Sequence, residues 1–243
     1  VAHVYEPDRA MVHAALAGAR QGIGYQLTYR VVWPDGSVRT LLETAERADD
    51  LAAESLEGLV MEGSAQDITE QVESQRRIRQ LAYFDPLTGL LNRRGMLIEA
   101  AKLFDSSDGP PALLVMDIDH FKRINDTYGH AVGDIVIQKV AEAMLAIAPD
   151  QAMTARFGGE EFVMLVPNAS IDRAQQLAEK VRTSIERLRL VRRHDKLEIA
   201  PFTISVGVAL RQREESIEPL FDRADKALYR AKHNGRNCVV ASS

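Results

Sequence analysis

The fold of this chain is decided at Arg156-Phe157-Gly158-Gly159-Glu160-Glu161-Phe162, which the apolar run 163–166 follows directly. Two adjacent glycines between apolar segments predict a tight β-hairpin turn, because only glycine enters the positive-φ conformations of such turns at little steric cost. The two glutamates after the turn are unusual in a plain hairpin. They place negative charge where the backbone is bare and a ligand can approach closely, which suits a metal-bound polyphosphate. A solvated hairpin with an acidic rim is the alternative interpretation.

Apolar periodicity on both sides of this turn predicts an alternation of helices and strands. Helices are predicted over 92–106, 129–148, 170–190 and 216–233, with Ser170 as an N-cap and Asn234-Gly235 as a stop signal. Strands are predicted over 112–119, 153–157, 161–166, 202–210 and 238–241. Strands interleaved with helices around a central antiparallel hairpin predict an α/β (α+β) fold, in which helices cover a sheet.

Residues 1–67 are predicted to form a separate unit. A helical pattern over 8–19 precedes strand-like runs over 24–33, 38–47 and 56–65, and Pro34-Asp35-Gly36-Ser37 predicts a hairpin between the first two. Residues 68–84 are polar and charged and contain neither glycine nor proline, which predicts a helix. Its thin apolar stripe suits pairing with a second copy or a rigid linker between domains, and the sequence favours neither.

Composition narrows the classes of partner. The net charge of −5 over 243 residues argues against a nucleic-acid surface, which normally shows a basic stripe. The single cysteine, Cys238, offers no disulfide framework and fits a reducing compartment. Apolar runs are only a few residues long, so no membrane segment is expected in this chain. We expect a cytoplasmic location; because the chain begins with Val1 rather than Met, membership of a longer, membrane-linked protein stays open.

Four ordered motifs resemble those of the GGDEF family of diguanylate cyclases. Gly158-Gly159-Glu160-Glu161-Phe162 matches the Glu variant of the family signature. The other three segments are Asp85-Pro86-Leu87-Thr88-Gly89-Leu90-Leu91-Asn92-Arg93-Arg94, the run from Asp117-Ile118-Asp119 to Tyr128-Gly129-His130, and Ala224-Asp225-Lys226-Ala227-Leu228-Tyr229-Arg230-Ala231-Lys232 with Gly235-Arg236-Asn237. The resemblance covers about 84–241 and implies a fold similar to the palm domain of polymerases and nucleotidyl cyclases.

A second resemblance concerns the N-terminal unit. Residues 29–39 and 63–70 look like the C-terminal half of a PAS sensor domain, without the elements that would wall its ligand pocket. A hairpin sheet used for packing or dimer contacts is therefore favoured over ligand sensing. The expected organisation is a partial PAS-like domain over 1–67, a helical linker over 68–84 and a diguanylate cyclase domain over 85–243.

Carboxylates at strand ends are the candidate metal ligands. Asp117 ends an apolar strand, and Mg²⁺ requires hard oxygen ligands, usually one or two protein carboxylates together with substrate phosphate. We expect Asp117 and Glu160 to form that pair. The resemblance implies the Ile118 carbonyl as a third ligand, and two Mg²⁺ or Mn²⁺ ions per active site. Asp119 is a reserve candidate on the two-residue strand period, with an N-cap or turn role as an equal alternative.

The reaction that the resemblance implies is attack of the 3′-hydroxyl of one GTP on the α-phosphorus of another, with release of pyrophosphate. Two such attacks close cyclic di-GMP. Glu161 is expected either to help bind the second metal ion or to accept the hydroxyl proton. The product is built symmetrically from two nucleotides, so a homodimer is expected, in which each copy supplies a nucleophile to the other.

Basic side chains near the acidic cluster are candidates for phosphate binding. Lys232 and Arg236 lie four residues apart at a predicted helix end, which places them on one face. Complementing the helix dipole is the alternative role, but the surrounding motif favours phosphate. Lys122 is a weaker candidate, and the bare backbone of Gly158 and Gly159 is expected to lie beside the substrate.

Base selection is assigned to Asn125 and Asp134. An aspartate accepts hydrogen bonds from both N1–H and the 2-amino group of guanine, a donor pair that adenine lacks. A turn residue and a first-turn helix acid are the alternative roles of the two positions. Asp134 matches the guanine-reading position of the family, so GTP is the expected substrate and a relative making cyclic GMP–AMP is disfavoured.

One family element is missing from the sequence. Many diguanylate cyclases carry an Arg-x-x-Asp product-inhibition site ending five residues before the glycine pair, where this chain has Pro149 and Ala152 instead. No product inhibition through that site is expected. The alternative to a cyclase is a non-catalytic GTP-binding regulatory module; the intact signature with Asp117, Lys232 and Arg236 favours catalysis.

Overall fold

The computed structural model describes residues 3–48, 60–106, 109–192 and 197–242, with the backbone alone for Ser106, Arg192 and Leu197. The chain divides into two compact units, Val1–Arg79 and Gln80–Ser243. The division lies inside the linker helix predicted over 68–84.

The N-terminal unit is an antiparallel sheet with one helix. After a short 3₁₀ turn, Glu6–Asp8, come α1 (Arg9–Ala19), β1 (Tyr25–Val32), β2 (Val38–Arg47) and β3 (Met61–Asp67), paired in the order β1-β2-β3. The predicted turn between β1 and β2 is confirmed: Gly36 has a φ of 84° and Ser37 N donates to Asp35 Oδ1 at 2.8 Å. The third strand ends later than predicted, and residues 56–59 of that prediction lie outside the described residues.

Helix α2 (Thr69–Tyr83) occupies the predicted linker. Asp67 Oδ1 accepts hydrogen bonds from Thr69 Oγ1 at 2.6 Å and Thr69 N at 2.9 Å, which begins the helix. These bonds, with a further contribution from Arg39, lower the pKa of Asp67 to about 2. No residue of α2 is buried, and the apolar side chains of Val72, Ile78 and Leu81 stay exposed.

The C-terminal unit is built on a six-stranded sheet. Its strands are β4 (Leu91–Asn92), β5 (Ala112–Ile118), β6 (Met153–Gly158), β7 (Glu161–Val166), β10 (Ile204–Leu210) and β11 (Val239–Ala241), and β8 (Leu190–Arg192) and β9 (Leu197–Ile199) form a separate hairpin. The sheet order is β11-β10-β5-β7-β6-β4. The central pairs are antiparallel, whereas both outer pairs, β10–β11 and β4–β6, are parallel. The predicted mixed α/β class is confirmed.

Five helices accompany this sheet: α3 (Arg93–Ser106), α4 (Phe121–Tyr128), α5 (His130–Ile147), α6 (Ile171–Glu186) and α7 (Ile217–His233). Ser170 is confirmed as an N-cap, since its side chain accepts from Arg173 N. Helix α6 ends earlier than predicted, because the chain from Leu190 onward pairs in β8. Helix α4 was not predicted; its eight residues are too few to show a clear helical period.

Side-chain alternation along β5 sorts its residues between two helical layers. Leu114 and Met116 belong to the core cluster that includes α5 and α6, whereas Leu113 and Val115 belong to the cluster with α3 and α7. Asp117 continues the second set, so the strand period places its carboxylate on the α7 side. Gly207 of β10 lets α7 pack closely, since a Cβ there would lie 2.1 Å from the Ala224 carbonyl oxygen.

Candidate active site

The Gly158-Gly159 turn joins β6 to β7. Gly158 pairs with Glu161 after a register shift that follows Arg156. Neither glycine has a φ in the left-handed region, so the prediction of a positive-φ turn is wrong. The glycines provide space instead: a Cβ at Gly159 would meet nothing within 4 Å, and one at Gly158 would meet only Glu161 Oε2, at 3.3 Å. The backbone at the turn is therefore open to a ligand.

Arg156 links this turn to Asp85 in the opening motif. Its Nη2 and Nε donate to the Gly159 carbonyl oxygen at 2.8 and 3.1 Å, and its Nη1 lies 3.1 Å from Asp85 Oδ2. Asp85 Oδ1 also accepts from Thr88 N and Thr88 Oγ1. Burial alone would raise the pKa of Asp85, but the bonds from Thr88 and the charge of Arg156 leave it below the usual value. This ion pair between the opening motif and the glycine turn was not predicted, because it joins residues far apart in the sequence.

Asp85→Asn is expected to lower the free energy of unfolding of the C-terminal unit by about 2 kcal/mol at neutral pH, because the partly buried Arg156 loses its counter-charge. A group with a lowered folded-state pKa stabilises above its unfolded pKa and loses that contribution as pH falls through the folded value. The difference between the two proteins should therefore be constant above about pH 5 and shrink below about pH 4. Urea unfolding at several pH values measures it; a difference independent of pH would contradict the assignment.

Three carboxylates meet beside the turn. Asp117, at the end of β5, is only 6% exposed, and it lies directly opposite Glu161 across the β5–β7 pair. Glu160 is the turn residue before Glu161, and its carbonyl accepts from Ile118 N at 3.3 Å. Like charges directly opposite one another in a sheet are destabilising. A positive charge beside such a cluster stabilises it.

The pKa values of two of these groups reflect that crowding. Burial, and to a smaller extent Glu161 and Asp119, raise the pKa of Asp117 against the opposing effect of Lys232. Burial, then repulsion from Asp117, raises the pKa of Glu160. For both carboxylates, the positive charges and hydrogen bonds of the protein do not offset the cost of ionising the side chain in this environment. A divalent cation would supply it.

Lys232 provides part of the compensating charge. It lies in the last turn of α7, and its Nζ is 2.8 Å from Asp117 Oδ2. The predicted phosphate ligand is thus paired with the predicted metal ligand. Among the described residues no three acidic, histidine or cysteine side chains form a metal-holding group. Asp117 and Glu160 nevertheless fit Mg²⁺, which typically takes one or two carboxylates and completes its shell with water and substrate oxygens.

Asp119 lies in the turn between β5 and α4, which confirms the turn role given as its alternative, and its side chain makes structural contacts there. It lies one residue beyond β5 and is 5% exposed. Oδ2 accepts from Thr203 Oγ1 at 2.7 Å and from Asn237 N at 3.1 Å, and Oδ1 accepts from Ser205 Oγ at 2.7 Å. Both oxygens are engaged, so Asp119 ties the sheet to the turn after α7.

The prediction that Lys232 and Arg236 lie on one helix face is wrong. Helix α7 ends at His233, and Arg236 follows in a turn with a φ of 65°. Arg236 and Lys232 therefore do not share a helix face. Arg236 is exposed, as is Lys122 on α4, and within the described part of the chain neither side chain has an ion pair. Both remain available for an anionic ligand.

The two predicted base-reading residues lie on consecutive helices. Asn125 is on α4 and Asp134 on the first turns of α5, with Gly129 between the helices at a φ of 84°. Asn125 Oδ1 is buried and, among the described residues, accepts no hydrogen bond. A Cβ at Gly133 would lie 1.9 Å from this oxygen. A buried acceptor without a donor is costly unless a ligand provides one, which suits the guanine amino group.

Comparison with known proteins identifies the class. Residues 82–238 match the model of the family "Diguanylate cyclase, GGDEF domain", and the chain belongs to that family. The family generally uses divalent metal ions, and GGDEF domains bind GTP and work as dimers. Among the described residues, every helix falls short of the length or apolar content needed to cross a bilayer.

Individual relatives support the same assignment. The chain is 41% identical over 184 residues to diguanylate cyclase DgcM of Escherichia coli, a match covering 72% of this chain and 42% of that protein. The GGDEF domain of DgcB from Caulobacter crescentus, solved with c-di-GMP, is 37% identical with a TM-score of 0.65, covering 67% of this chain and 94% of that one. The structure of the coiled coil and GGDEF domain of DgcB is 34% identical to this chain with a TM-score of 0.68. That match covers 72% of this chain and 93% of that one. The chain thus spans less than half the length of DgcM.

Proposed function

We propose that this chain is a diguanylate cyclase that condenses two GTP molecules into cyclic di-GMP and pyrophosphate. The observation that carries the proposal is the carboxylate cluster of buried Asp117, half-buried Glu160 and exposed Glu161 beside an open glycine backbone. The cluster costs stability in the absence of a cation, so a purely structural role does not account for it. The family assignment and the solved c-di-GMP complex of a relative support the same reaction.

The acidic residues of the cluster are assigned to metal binding and proton transfer. We assign Asp117, Glu160 and the Ile118 carbonyl to two Mg²⁺ or Mn²⁺ ions. These ions, when bound, supply charge stabilisation and lower the pKa of the attacking hydroxyl. Glu161 lies exposed at the start of β7, where it either contributes to the second ion or accepts the hydroxyl proton.

Substrate binding falls to groups around this cluster. Lys232, Arg236 and Lys122 are proposed to bind the triphosphate, whose oxygens approach the open backbone of Gly158 and Gly159. Asn125 and Asp134 are proposed to read guanine, with the buried Asn125 oxygen accepting from its amino group. A GTP substrate also implies a cytoplasmic location.

The domain organisation is part of the proposal. Residues 1–67 form the partial PAS-like unit, 68–84 the helical linker and 85–243 the cyclase domain. The exposed apolar residues of α2 give the linker a surface for pairing with a second copy. A relative of known structure carries a coiled coil next to its GGDEF domain.

Catalysis should depend on a homodimer, because one domain binds one GTP and the product contains two. Specific activity is expected to fall on dilution through the dimer dissociation constant, and the Ile78→Glu variant should lose activity at higher concentration than the native chain. Initial rates and sedimentation over the same concentration range measure both. Constant specific activity down to clearly monomeric concentrations would contradict the dimer requirement.

Product analysis tests the function itself. The chain is incubated with GTP and Mg²⁺, and nucleotides are separated by chromatography, with added cyclic di-GMP in a parallel series. Cyclic di-GMP as the product, without strong inhibition by the added product, is expected. GTP binding without turnover by a dimeric sample would favour the non-catalytic regulatory module instead.

A further inference from the structure

The turn after α7 contains three consecutive residues with positive φ: Gly235 at 103°, Arg236 at 65° and Asn237 at 46°. Glycine enters this region at little steric cost and asparagine occasionally does so, but an arginine followed by a second side-chain-bearing residue persists there only where surrounding contacts hold the turn. The first of the two is Arg236, the proposed triphosphate ligand. The backbone of this turn therefore determines where its guanidinium is presented.

Asn237 is held from two sides. Its backbone N donates to Asp119 Oδ2 at 3.1 Å. Its side-chain Nδ2 donates to Glu186 Oε1 at 2.7 Å, while its Oδ1 accepts from Arg182 Nη1 at 2.6 Å. Both donor and acceptor functions of the amide are thus satisfied by helix α6, 51 and 55 residues away in sequence.

Arg182 and Glu186, which hydrogen-bond to the Asn237 amide, also form an ion pair with each other. Arg182 Nη1 lies 3.0 Å from Glu186 Oε2, and the Arg182 side chain is only 12% exposed. The hydrogen bond from Asn237 and the charge of Arg182 lower the pKa of Glu186. Without the hydrogen bonds from Arg182 and to Glu186, Asn237 would be free to leave the left-handed region. The backbone conformation of the preceding residue, Arg236, would then no longer be fixed.

We propose that Glu186 and Arg182 are positioning residues for substrate binding, acting through Asn237 on the backbone of Arg236. Helix α6, which supplies none of the proposed substrate contacts, thereby sets the presentation of the arginine to the triphosphate. This inference rests on the proposed function, since it assumes that Arg236 binds the triphosphate.

Affinity for a non-hydrolysable GTP analogue with Mg²⁺, measured by calorimetry on the full chain, tests the proposal. Arg236→Ala is expected to weaken binding about tenfold, the loss of a charge-assisted contact. Asn237→Gly tolerates positive φ but lacks the amide, and it should weaken binding about fivefold, as should Glu186→Ala. Glu186→Gln keeps an acceptor oxygen and should bind nearly as the native chain does.

A double variant separates positioning from direct contact. If Asn237 acts through Arg236, then Asn237→Gly adds no further loss to Arg236→Ala. Glu142→Ala, which removes an exposed glutamate ion-paired with Lys139 on α5, is the matched control and should leave affinity unchanged. Thermal midpoints verify that each variant is folded.

The remaining outcomes distinguish the inference from the function on which it rests. Native affinity for both Asn237→Gly and Glu186→Ala, with weaker binding by Arg236→Ala, would overturn the positioning role alone. Additive losses in the double variant would also overturn it. Native affinity for Arg236→Ala would remove the triphosphate role of Arg236 from the proposed function, and the inference with it.

Discussion

Glu160→Gln is expected to lower the rate of cyclic di-GMP formation about 10³-fold, equivalent to about 4 kcal/mol of transition-state stabilisation. Glutamine keeps the size of the side chain but removes the charge that would hold a divalent cation beside Asp117. Steady-state rates with GTP and Mg²⁺ measure the loss. Glu142→Gln, at an exposed helix position, is the control and should retain native activity.

The same substitution should raise the thermal midpoint of protein to which no metal or nucleotide has been added. Burial and repulsion from Asp117 raise the pKa of Glu160. Above that pKa the ionised group therefore destabilises the folded chain relative to the unfolded one. A neutral side chain removes this effect, and added Mg²⁺ should stabilise the native chain more than the variant. A lower midpoint for Glu160→Gln than for Glu142→Gln would contradict the account of the cluster.

Asp134→Ala is expected to lower kcat/KM for GTP about 100-fold while leaving the low rate with ATP unchanged. An aspartate that accepts from two guanine donors contributes charge-assisted hydrogen bonds, and their loss leaves those donors unpaired. Competition between the two nucleotides measures the selectivity directly. Asp222→Ala, an exposed aspartate on α7, is the control.

Two companion variants test the geometry behind this prediction. Asn125→Ala should also weaken GTP binding, yet leave the fold as stable or more so, because a buried acceptor without a partner is removed. Gly133→Ala should weaken GTP binding by displacing the Asn125 oxygen. Equal loss of GTP and ATP turnover in Asp134→Ala would contradict base reading by this residue.

Local patterns were sufficient to predict most of the fold. The apolar run before Asp117, the glycine pair between two strands and the N-cap at Ser170 each act over a few residues, and the structure has the expected elements at those places. Asp117 could be assigned to a strand end for the same reason. Its placement on the α7 side follows from the two-residue period of β5.

Features that depend on tertiary contacts were not predictable. The Arg156–Asp85 pair joins residues 71 apart. The three donors to Asp119 come from Thr203 just before β10, Ser205 in β10 and Asn237 in the turn after α7. Arg236 has a positive φ beyond the end of α7, so extending the helical period past His233 gave the wrong geometry. The turn at Gly158 likewise follows the register shift of its strands rather than the usual hairpin preference.

A crystal structure with Mn²⁺ and a non-hydrolysable GTP analogue shows whether Asp117 and Glu160 hold the metal ion, because anomalous scattering locates that ion. We expect an anomalous peak within coordination distance of the Asp117 and Glu160 carboxylates, with the triphosphate over Gly158 and Gly159. A nucleotide bound elsewhere, or a peak that neither carboxylate contacts, would contradict it.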